Sequence, residues 1–487
     1  MHPADMVFFW AKADPGRLAI LQPNLVVTYR TLAEAVESVS ERLRHYDLDR
    51  REPVAVAIHH PFWQLAVCFA LLRGGIACSP IGRSTLPHLR PNGINNVISA
   101  AEGQVLSGGR NIRFDPSWVR PASGSLSLSH ESRATATDMI FFTSGTTGVP
   151  KKVVMPGGIF AERIRILPFI GEAHYSRFLV VPGLNSSFGF IRTAMIMYAG
   201  KSACLAPGFE LQLRLINAFN IEAIVASPQQ ASGLVQVLES GSKYRFRSLN
   251  EIRLAGGICS EDLAERLKLR LCRNVTIKYG ATEAGPIALA HHDLIADVPS
   301  GVGYPLPGVE IEIVDENGLP VSAGTTGMVR CRSGYTANVY AASNPECAEM
   351  AGEYWWYPGD LGRFTEAGIL CIEGRADDVI NCGGVKLAAG QLEEVVRGYP
   401  GVKDAGVCGV RGNFGVDEIW VGVVQDTDIS LDALKRSLGE DDEFRASVGE
   451  IFAVDQLPRN DLGKLQRAKL KELLIGLKNA SVPIDGA

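Results

Sequence analysis

The chain has 487 residues, 46% of them hydrophobic and 21% charged, which is ordinary for a globular enzyme but too long for one compact core, so two or three domains are expected. The net charge of −5 comes from 48 basic and 53 acidic residues that are well mixed, which argues against a nucleic-acid partner. Ten scattered cysteines without a Cys-x-x-Cys pair, the lack of a visible secretory leader and the lack of an apolar stretch of membrane-spanning length predict a cytoplasmic protein without disulfides, structural zinc or a membrane span.

The first part of the chain predicts strands that alternate with helices. Residues 25–46 read as a strand followed by a helix, for which Thr31 and Glu34 form a capping box. Residues 53–58 are a predicted buried strand, and residues 62–72 a predicted buried helix. Further short apolar runs rich in β-branched residues lie at 138–143, 177–182, 221–227 and 274–280. This alternation predicts a layered α/β domain with a mostly parallel sheet.

The later part of the chain changes character. Residues 308–321 alternate apolar and polar side chains around Asn317 and Gly318, which predicts a hairpin in a β-rich subdomain. After the Asp-rich segment 374–378 the predicted elements become short. They are a helix near 390–397, strands near 402–411 and 417–425, and helices near 430–448. We therefore predict a large N-terminal domain over residues 1–376, joined by a hinge to a small mobile α+β domain over residues 377–487.

The stretch "FFTSGTTGVPKK", residues 141–152, has the composition of a phosphate-binding loop. Its hydroxyls and glycines can donate to an anion at close range, and its lysine adds a mobile charge. These residues are Thr143, Ser144, Gly145, Thr146, Thr147, Gly148 and Lys151. The stretch lacks the second glycine and the final hydroxyl of a Walker A motif, which makes a P-loop NTPase a poor interpretation. Taken alone, a phosphate loop and a Ser/Thr-rich surface turn remain equally open.

Four further motifs follow in order along the chain. They are "YGATEAG" at 279–285, "YPGD" at 357–360, "GRADDVINCGGVK" at 374–386 and "PRNDLGKLQR" at 458–467. With "TSGTTGVPKK", in which Lys152 replaces the usual last glycine, they resemble the signature motifs of the adenylate-forming superfamily. That superfamily comprises acyl-CoA synthetases, luciferase-like enzymes and nonribosomal adenylation domains. The resemblance spans most of the chain and is closest in type to a freestanding acyl- or aryl-CoA synthetase.

The resemblance implies that a carboxylate attacks the α-phosphate of ATP, pyrophosphate leaves, and a thiol captures the acyl-adenylate. It assigns Glu283 as a ligand of Mg²⁺ and Thr282 as a donor to the α-phosphate. Lys464 stands at the position of the family's C-terminal lysine, where an ammonium can bridge the carboxylate and the α-phosphate. Screening the repulsion of these two anions is the main demand of such a reaction.

The same resemblance assigns the nucleotide and thiol contacts. Tyr279 is expected to pack on the adenine, and Asp360 to accept hydrogen bonds from the ribose hydroxyls, which suits a carboxylate. Arg375 would support the ribose or a phosphate. The backbone that lines the base is expected at Gly256, Gly257, Ile258 and Gly280. For the second step, the hinge is expected at Asp377 and the passage for the arm of coenzyme A at Gly383, Gly384 and Lys386.

The acid pocket is expected where "LNSSFGF", residues 184–190, meets the loops near 255–257 and 281–286. Its candidate wall residues are Asn185, Phe188, Phe190, Ala255, Gly256, Ala281 and Pro286. Asn185 stands where adenylation domains for amino acids usually carry an Asp, so an α-amino acid is disfavoured. An uncharged aliphatic or aromatic acid is favoured, although Arg192 keeps a dicarboxylate open.

Coenzyme A is the favoured thiol, because no Asp-Ser attachment site of a carrier domain follows residue 478. The expected partners are therefore ATP, Mg²⁺, a carboxylic acid and coenzyme A. A separate carrier protein as acceptor, or a non-catalytic member that binds nucleotide or acyl ligand, remains an alternative. His291 and His292 are interpreted as non-catalytic, since adjacent strand residues face opposite ways. Lys152 is expected to add bulk and charge beside the phosphate loop.

Overall fold

A computed structural model describes residues 4–100, 106–120, 137–144, 150–165, 174–241, 244–336, 354–382, 385–411, 417–440, 448–460 and 463–480. Its α-helices are α1 (Asp5–Ala13), α2 (Tyr29–Leu43), α3 (Pro61–Arg73), α4 (Gly157–Arg165), α5 (Ser187–Tyr198), α6 (Phe209–Ala218), α7 (Pro228–Glu239), α8 (Glu261–Arg270), α9 (Ala389–Arg397), α10 (Leu431–Glu440) and α11 (Arg467–Ala480).

The strands up to the middle of the chain are β1 (Leu18–Gln22), β2 (Leu25–Thr28), β3 (Val54–Ala57), β4 (Cys78–Pro80), β5 (Asn96–Ser99), β6 (Arg110–Arg113), β7 (Met139–Ser144), β8 (Pro150–Met155), β9 (Arg177–Val180), β10 (Ser202–Cys204), β11 (Ala223–Ala226) and β12 (Glu251–Ala255). Those that follow are β13 (Val275–Ala281), β14 (Gly285–His291), β15 (Gly301–Pro305), β16 (Val309–Val314), β17 (Gly327–Ser333), β18 (Asp360–Phe364), β19 (Leu370–Arg375), β20 (Val379–Cys382), β21 (Val385–Ala388), β22 (Val402–Arg411), β23 (Asp417–Gln425) and β24 (Val448–Ala453).

Two large sheets organise the chain up to β19. One has six strands in the order β6-β5-β3-β4-β7-β8, and the other has thirteen in the order β16-β17-β18-β19-β15-β14-β13-β12-β11-β9-β10-β1-β2. From β13 through β12, β11, β9 and β10 to β1, each neighbouring pair is parallel, whereas the pairs from β13 towards β16 are antiparallel. The predicted α/β class, with parallel sheet followed by a β-rich part, is confirmed.

The largest hydrophobic core joins residues of both sheets to the helices between them. Val56 and Phe141 come from the six-stranded sheet, Phe178 and Val225 from the thirteen-stranded sheet, and the buried faces of α2, α3 and α5 complete the cluster. A second core packs α6, α7 and α8 on the opposite side of the thirteen-stranded sheet. This layering leaves the carboxyl ends of the parallel strands at one edge, which is where open α/β sheets usually bind ligands.

The C-terminal part has its own sheet and core. Strands β22, β23 and β24 form a three-stranded sheet, and the hydrophobic cluster beneath it is drawn from residues 380–438. The strands predicted near 402–411 and 417–425 are confirmed, with β22 and β23 antiparallel. The prediction of helix up to 448 was wrong, because β24 begins at Val448 and pairs in parallel with β23.

One local prediction needs correction. The N-cap of α2 is Thr28, whose hydroxyl accepts from the amide of Thr31 at 3.1 Å, so the helix begins before the predicted capping box. Long-range packing here decides between local signals of similar strength.

The predicted hairpin around Asn317 and Gly318 is present but short. Val314 forms an antiparallel bridge with Pro320, and the amide of Val321 donates to the carbonyl of Ile313 at 2.9 Å. The long antiparallel partner of β16 is β17.

The remaining expectations from composition concern sulfur and membranes. The eight cysteines whose side chains the structure describes are all free. Among the helices that the structure describes, none has the length and apolarity needed to cross a membrane.

Candidate active site

The candidate active site lies at the carboxyl ends of β12 and β13. Ala255 at the end of β12 is in register with Lys278 of β13, and the motif "YGATEAG" follows through the turn into β14. The Ser187 hydroxyl at the start of α5 is 2.6 Å from that of Thr282. The predicted acid-pocket helix and the predicted phosphate-binding threonine therefore meet directly.

Asp360 is the centre of a charged cluster. Its carboxylate accepts a hydrogen bond from the hydroxyl of Tyr279. Arg375 lies opposite Asp360 in the β18–β19 pair, and its Nη1 is 3.5 Å from Oδ1 of the carboxylate. Gly359 has a φ of +78°, and a Cβ there would lie 3.1 Å from Nη2 of Arg375. Glycine thus allows the turn and the close approach of the guanidinium.

Burial shapes the ionisation of this cluster. It raises the pKa of Asp360, while the Tyr279 hydrogen bond, Arg375 and Lys464 act in the opposite direction. Burial, reinforced by the neighbouring Asp360 carboxylate, raises the pKa of Tyr279 well above its usual value. Tyr279 therefore stays a neutral donor that fixes one carboxylate oxygen.

Lys464 lies between Arg459 and Leu465, which form an antiparallel bridge, and this segment is called the lysine loop; residues 461 and 462 of it lie outside the described residues. Within the loop, the amide of Asn460 donates to the Lys464 carbonyl at 2.9 Å, and the carbonyl of Asn460 accepts from the amide of Gly463 at 2.8 Å. Arg459 donates to the Gly463 carbonyl at 2.8 Å and forms a forked ion pair with Asp404 of β22, with contacts of 2.8–3.1 Å. The loop is therefore tied to the C-terminal sheet.

The lysine loop brings Lys464 to the charged cluster. Desolvation lowers the pKa of Lys464, and Asp360, Arg375 and Glu283 act on its ammonium electrostatically. Gly463 has a φ of +80°, and a Cβ there would lie 2.2 Å from Cγ of Gln229 at the start of α7. The structure therefore brings the predicted lysine of the C-terminal part within electrostatic range of the predicted metal and ribose ligands.

The predicted phosphate loop joins the antiparallel strands β7 and β8. Gly145, Thr146, Thr147 and Gly148 lie outside the described residues, as does the side chain of Ser144. Thr143 and Lys151 are cross-strand partners at the base of the loop, and Lys151 is exposed.

Lys152 of β8 lies opposite Phe142 of β7, and its ammonium donates to the carbonyl of Asn92 at 2.8 Å. Burial lowers the pKa of Lys152. The expectation that Lys152 adds bulk and charge beside the phosphate loop stays a prediction, because residues 145–149 of that loop lie outside the described residues.

The segment 256–258, which is predicted to line the base, follows β12 and contacts the start of α7. Gly256 has a φ of +87°, and a Cβ at Gly257 would touch the ring of Pro228 in α7, while Ile258 is 48% exposed. Gly280 and Pro286 are register partners in the β13–β14 hairpin, with Ala281 opposite Gly285.

The acid-pocket residues divide into two groups. Asn185 and Phe188, near the start of α5, are half-buried. Ala255, Ala281 and Pro286, in β12, β13 and β14, are half-buried too. Phe190 is fully buried and packs on Phe69, Phe141 and Phe160, so it belongs to the core rather than to a pocket wall.

Arg192 is a residue of α5, and its buried side chain belongs to a cluster of charged residues. Burial lowers the pKa of Arg192 to about 9, and Arg253 and Glu251 act on it. Arg253 and Glu251 themselves form an ion pair at 2.9 Å. Lys278 shares this environment, and burial lowers its pKa well below the usual value. Arg192 is thus part of a buried network within the core.

Little can be located of the residues that are predicted to line the passage for the thiol. Gly383 and Gly384 fall outside the described residues, and so do the side chains of Asp377 and Lys386. The flanking strands β20 and β21 pair in antiparallel fashion, with Asn381 opposite Lys386.

Two features of the site were not predicted. Ser187 and the buried Arg163 contact Thr282 and its neighbours, although they lie 95 and 119 residues away in sequence. Their only local signals are a polar residue at a helix start and an arginine in a short helix that carries two further charged residues. Neither signal is specific without the fold.

His292 has a partner that its sequence neighbourhood did not indicate. Its Nε2 lies 3.2 Å from Glu261 of α8, and Glu265 is close enough for the three side chains to face one ion. The ammonium of Lys268, however, pairs with Glu265 at 2.7 Å and with Asp293 at 2.8 Å. A cation of the chain thus already pairs with Glu265 and Asp293. The interpretation of His291 and His292 as non-catalytic stays a prediction.

Known proteins resemble this chain over almost its whole length. It is 24% identical to 4-chlorobenzoate–CoA ligase from Arthrobacter sp, with 96% of this chain and 95% of that protein covered. It is 25% identical to indoleacetate–CoA ligase from Aromatoleum aromaticum, with 97% and 98% covered. Among solved structures, o-succinylbenzoate CoA synthetase from Bacillus subtilis shares the fold with a TM-score of 0.82 and 21% identity in its acyl-adenylate complex, covering 96% of this chain and 98% of that one. Its complex with ATP and magnesium gives a TM-score of 0.81 at 21% identity and covers 96% and 99%. The sequence model of the AMP-binding enzyme family matches residues 7–341, and the chain belongs to that family.

Proposed function

We propose that this enzyme activates a carboxylic acid with ATP and transfers the acyl group to the thiol of coenzyme A. The observation that carries the proposal is that the lysine loop packs on Gln229 at the start of α7, which brings Lys464 within electrostatic range of Asp360, Arg375 and Glu283. A cationic group delivered from the C-terminal part to a nucleotide site is what the joining of two anions requires. The names of the relatives, two of which are CoA ligases, support the same reaction.

The first step forms an acyl-adenylate. A carboxylate oxygen of the acid attacks the α-phosphorus of ATP, and the bond to the bridging oxygen of the β-phosphate breaks, so pyrophosphate leaves with that electron pair. The Lys464 ammonium reduces the repulsion between the carboxylate and the α-phosphate, and the Thr282 hydroxyl donates to a phosphate oxygen. The phosphate loop, with Thr143 and Lys151 at its base, holds the β- and γ-phosphates.

The nucleoside binds beside the residues that are predicted to contact the ribose and the adenine. Asp360 has one oxygen fixed by Tyr279, and we expect its remaining acceptor capacity to serve the ribose hydroxyls. Tyr279, Gly280 and the segment 256–258 border the adenine, and Arg375 supports the ribose or a phosphate.

The residues present fit a magnesium ion. Glu283 offers a half-buried carboxylate whose own backbone is held in place, beside the hydroxyl of Thr282. Oxygen ligands of this kind, completed by phosphates and water, suit Mg²⁺. When bound, the ion would neutralise charge on the phosphate oxygens.

The second step transfers the acyl group. The thiol sulfur attacks the carbonyl carbon of the adenylate, AMP leaves with the electrons of the broken C–O bond, and the thiol proton passes to solvent. We propose that residues 1–376 and 377–487 are two domains that turn about Asp377 between the steps. Gly383, Gly384 and Lys386 would then line the path of the pantetheine arm.

The favoured substrate is an uncharged aromatic or aliphatic acid. Phe188, Ala255, Ala281 and Pro286 give small or apolar walls, and Asn185 leaves no carboxylate there for an α-ammonium. Because Arg192 is held in a buried network with Arg253 and Glu251, a dicarboxylate is the weaker alternative.

The test is pyrophosphate release from ATP and Mg²⁺ over a panel of benzoates, aryl-acetates, aliphatic acids, dicarboxylates and amino acids, each with and without coenzyme A. We expect release to become catalytic only with coenzyme A and with one class of uncharged acid. A single burst that coenzyme A leaves unchanged would assign the acceptor role to a carrier protein. Lack of release with every acid would contradict the proposed activity.

A further inference from the structure

Arg163 is the largest side chain among those that are fully buried in the described part of the chain. It lies on α4, and only 1% of its surface is exposed. Burial lowers its pKa to about 10, against the opposing influence of the Glu283 carboxylate, so the guanidinium stays charged near neutral pH. A buried charge is costly unless polar groups surround it. The groups that accept hydrogen bonds from this guanidinium therefore indicate its role.

Its oxygen partners are three backbone carbonyls, and Nη1 also lies 3.8 Å from Sδ of Met155. Nη1 donates to the carbonyl of Thr282 at 2.5 Å, Nη2 donates to the carbonyl of Glu283, and Nε donates to the carbonyl of Tyr335 at 2.9 Å. The five donors of a planar guanidinium suit such a fork, whereas a lysine ammonium lacks this geometry. Arg163 thus joins the predicted phosphate- and metal-binding pair to the turn after β17.

These contacts fix the direction of two successive peptide groups. Because a trans peptide directs its N–H opposite to its C=O, the amides of Glu283 and Ala284 face away from Arg163. On the other side, the Ser187 hydroxyl holds the hydroxyl of Thr282 at 2.6 Å. Gly285, with a φ of +75°, closes the turn, and a Cβ there would lie 3.1 Å from Nε of Arg163. The segment Thr282–Glu283 is therefore held from both sides.

We infer that Arg163 is a positioning residue of this active site, which sets where the Thr282 hydroxyl and the Glu283 carboxylate meet the phosphates and their metal ion. The inference rests on the proposed function, because it assigns a purpose to the geometry of those two residues. It goes further in stating that this geometry depends on a buried cation on α4. Arg163 itself touches no reacting atom and acts through the backbone.

A merely structural arginine would change stability alone. Arg73 offers the matched control, since it is also a buried arginine. Unlike Arg163 it pairs with carboxylates, at 3.5 Å to Asp5 and 3.2 Å to Glu37, and it contacts the ring of Phe8. Its partners belong to α1 and α2, outside the candidate site. Arg73→Met should therefore lower the melting temperature without altering how metal and nucleotide bind.

The experiment measures the binding of Mn²⁺, by electron paramagnetic resonance, to the full-length protein with a non-hydrolysable ATP analogue, alongside the melting temperature and the adenylation burst. For Arg163→Met we expect Mn²⁺ affinity to fall about tenfold or more, as for other residues that orient a metal ligand. Arg163→Lys, which keeps the charge but not the fork, should fold better and still bind Mn²⁺ more weakly than the wild type. The burst should slow in both variants.

Wild-type affinity for Mn²⁺ in a folded Arg163→Lys protein, or in Arg163→Met, would overturn the inference. The same holds if Arg73→Met weakens Mn²⁺ binding as much as Arg163→Met, because the effect would then follow stability. If the wild-type protein itself binds no Mn²⁺ with the nucleotide analogue, the proposed function fails together with the inference. If the wild type binds Mn²⁺ normally and the Arg163 variants bind it equally well, the inference about Arg163 fails while the proposed function stands.

Discussion

Lys464 is within electrostatic range of Asp360, Arg375 and Glu283, and desolvation lowers the pKa of its ammonium below that of an ordinary lysine. The proposed chemistry needs this ammonium in its charged form, because only a cation screens the carboxylate from the α-phosphate. The protonated form is lost as pH rises through the lowered pKa. The alkaline limit of adenylation therefore reports on this residue.

We expect the rate of the adenylation burst to fall on the alkaline side at a lower pH than an exposed lysine would give. The measurement is the burst rate of pyrophosphate release against pH, for the wild type and for Lys464→Arg. A guanidinium stays protonated over this range, so the residual activity of the variant should lack the alkaline limb. An identical limb in both proteins would assign the titration to another group.

Some residues of the candidate site were predicted from sequence motifs, and others were found only in the structure. Lys464, Asp360, Arg375 and Glu283 were predicted from their motifs, and the structure brings them together. Arg163 was not predicted, because its role depends on carbonyls that lie 119 and 120 residues away. No periodicity or spacing near residue 163 carries that information.

At the scale of elements, the lysine loop and the start of α7 form the contact that places Lys464. Gly463 needs a positive φ of +80°, and its α-carbon approaches Gln229 so closely that an added Cβ would lie 2.4 Å from Cβ of that residue. Such contacts act at a distance from the chemistry but set the position of the ammonium. Misplacement by about 1 Å can cost on the order of 100-fold in rate.

We expect Gly463→Ala to slow adenylation on the order of 100-fold by this misplacement, while thioester formation from a supplied acyl-adenylate persists. Gln229→Gly alone should be nearly neutral, and combined with Gly463→Ala it should restore part of the lost rate by removing the clash. The two half-reactions are measured separately in all three variants. Normal adenylation in Gly463→Ala, or a double variant no faster than Gly463→Ala, would contradict this docking.

Elements were predicted best where the sequence pattern is local. Strands β22 and β23 alternate clearly and were found at the predicted positions. Strand β24 was missed because it is held by a parallel, non-local pairing with β23. The start of α2 was misplaced for a similar reason, since the burial of Tyr29, whose hydroxyl donates to the carbonyl of Lys201 at 2.7 Å, favours Thr28 as the cap.

At the scale of the whole molecule, the site is assembled from both parts of the chain. The thirteen-stranded sheet contributes Tyr279, Thr282, Glu283 and Asp360 from β13, the turn after it and β18. The C-terminal part contributes Lys464, through a loop that Arg459 ties to Asp404. Adenylation should therefore depend on the position of Lys464 in this site, and thioester formation should not.

The most direct test compares the two half-reactions in Lys464→Ala. ATP–pyrophosphate exchange with the preferred acid measures adenylation, and thioester formation from synthetic acyl-adenylate and coenzyme A measures transfer. We expect exchange to fall by at least about 100-fold and transfer to stay close to the wild-type rate, with the exposed Lys469→Ala of α11 unchanged in both. Retained exchange, or an equal loss of exchange and transfer, would contradict the assignment of Lys464 to adenylation.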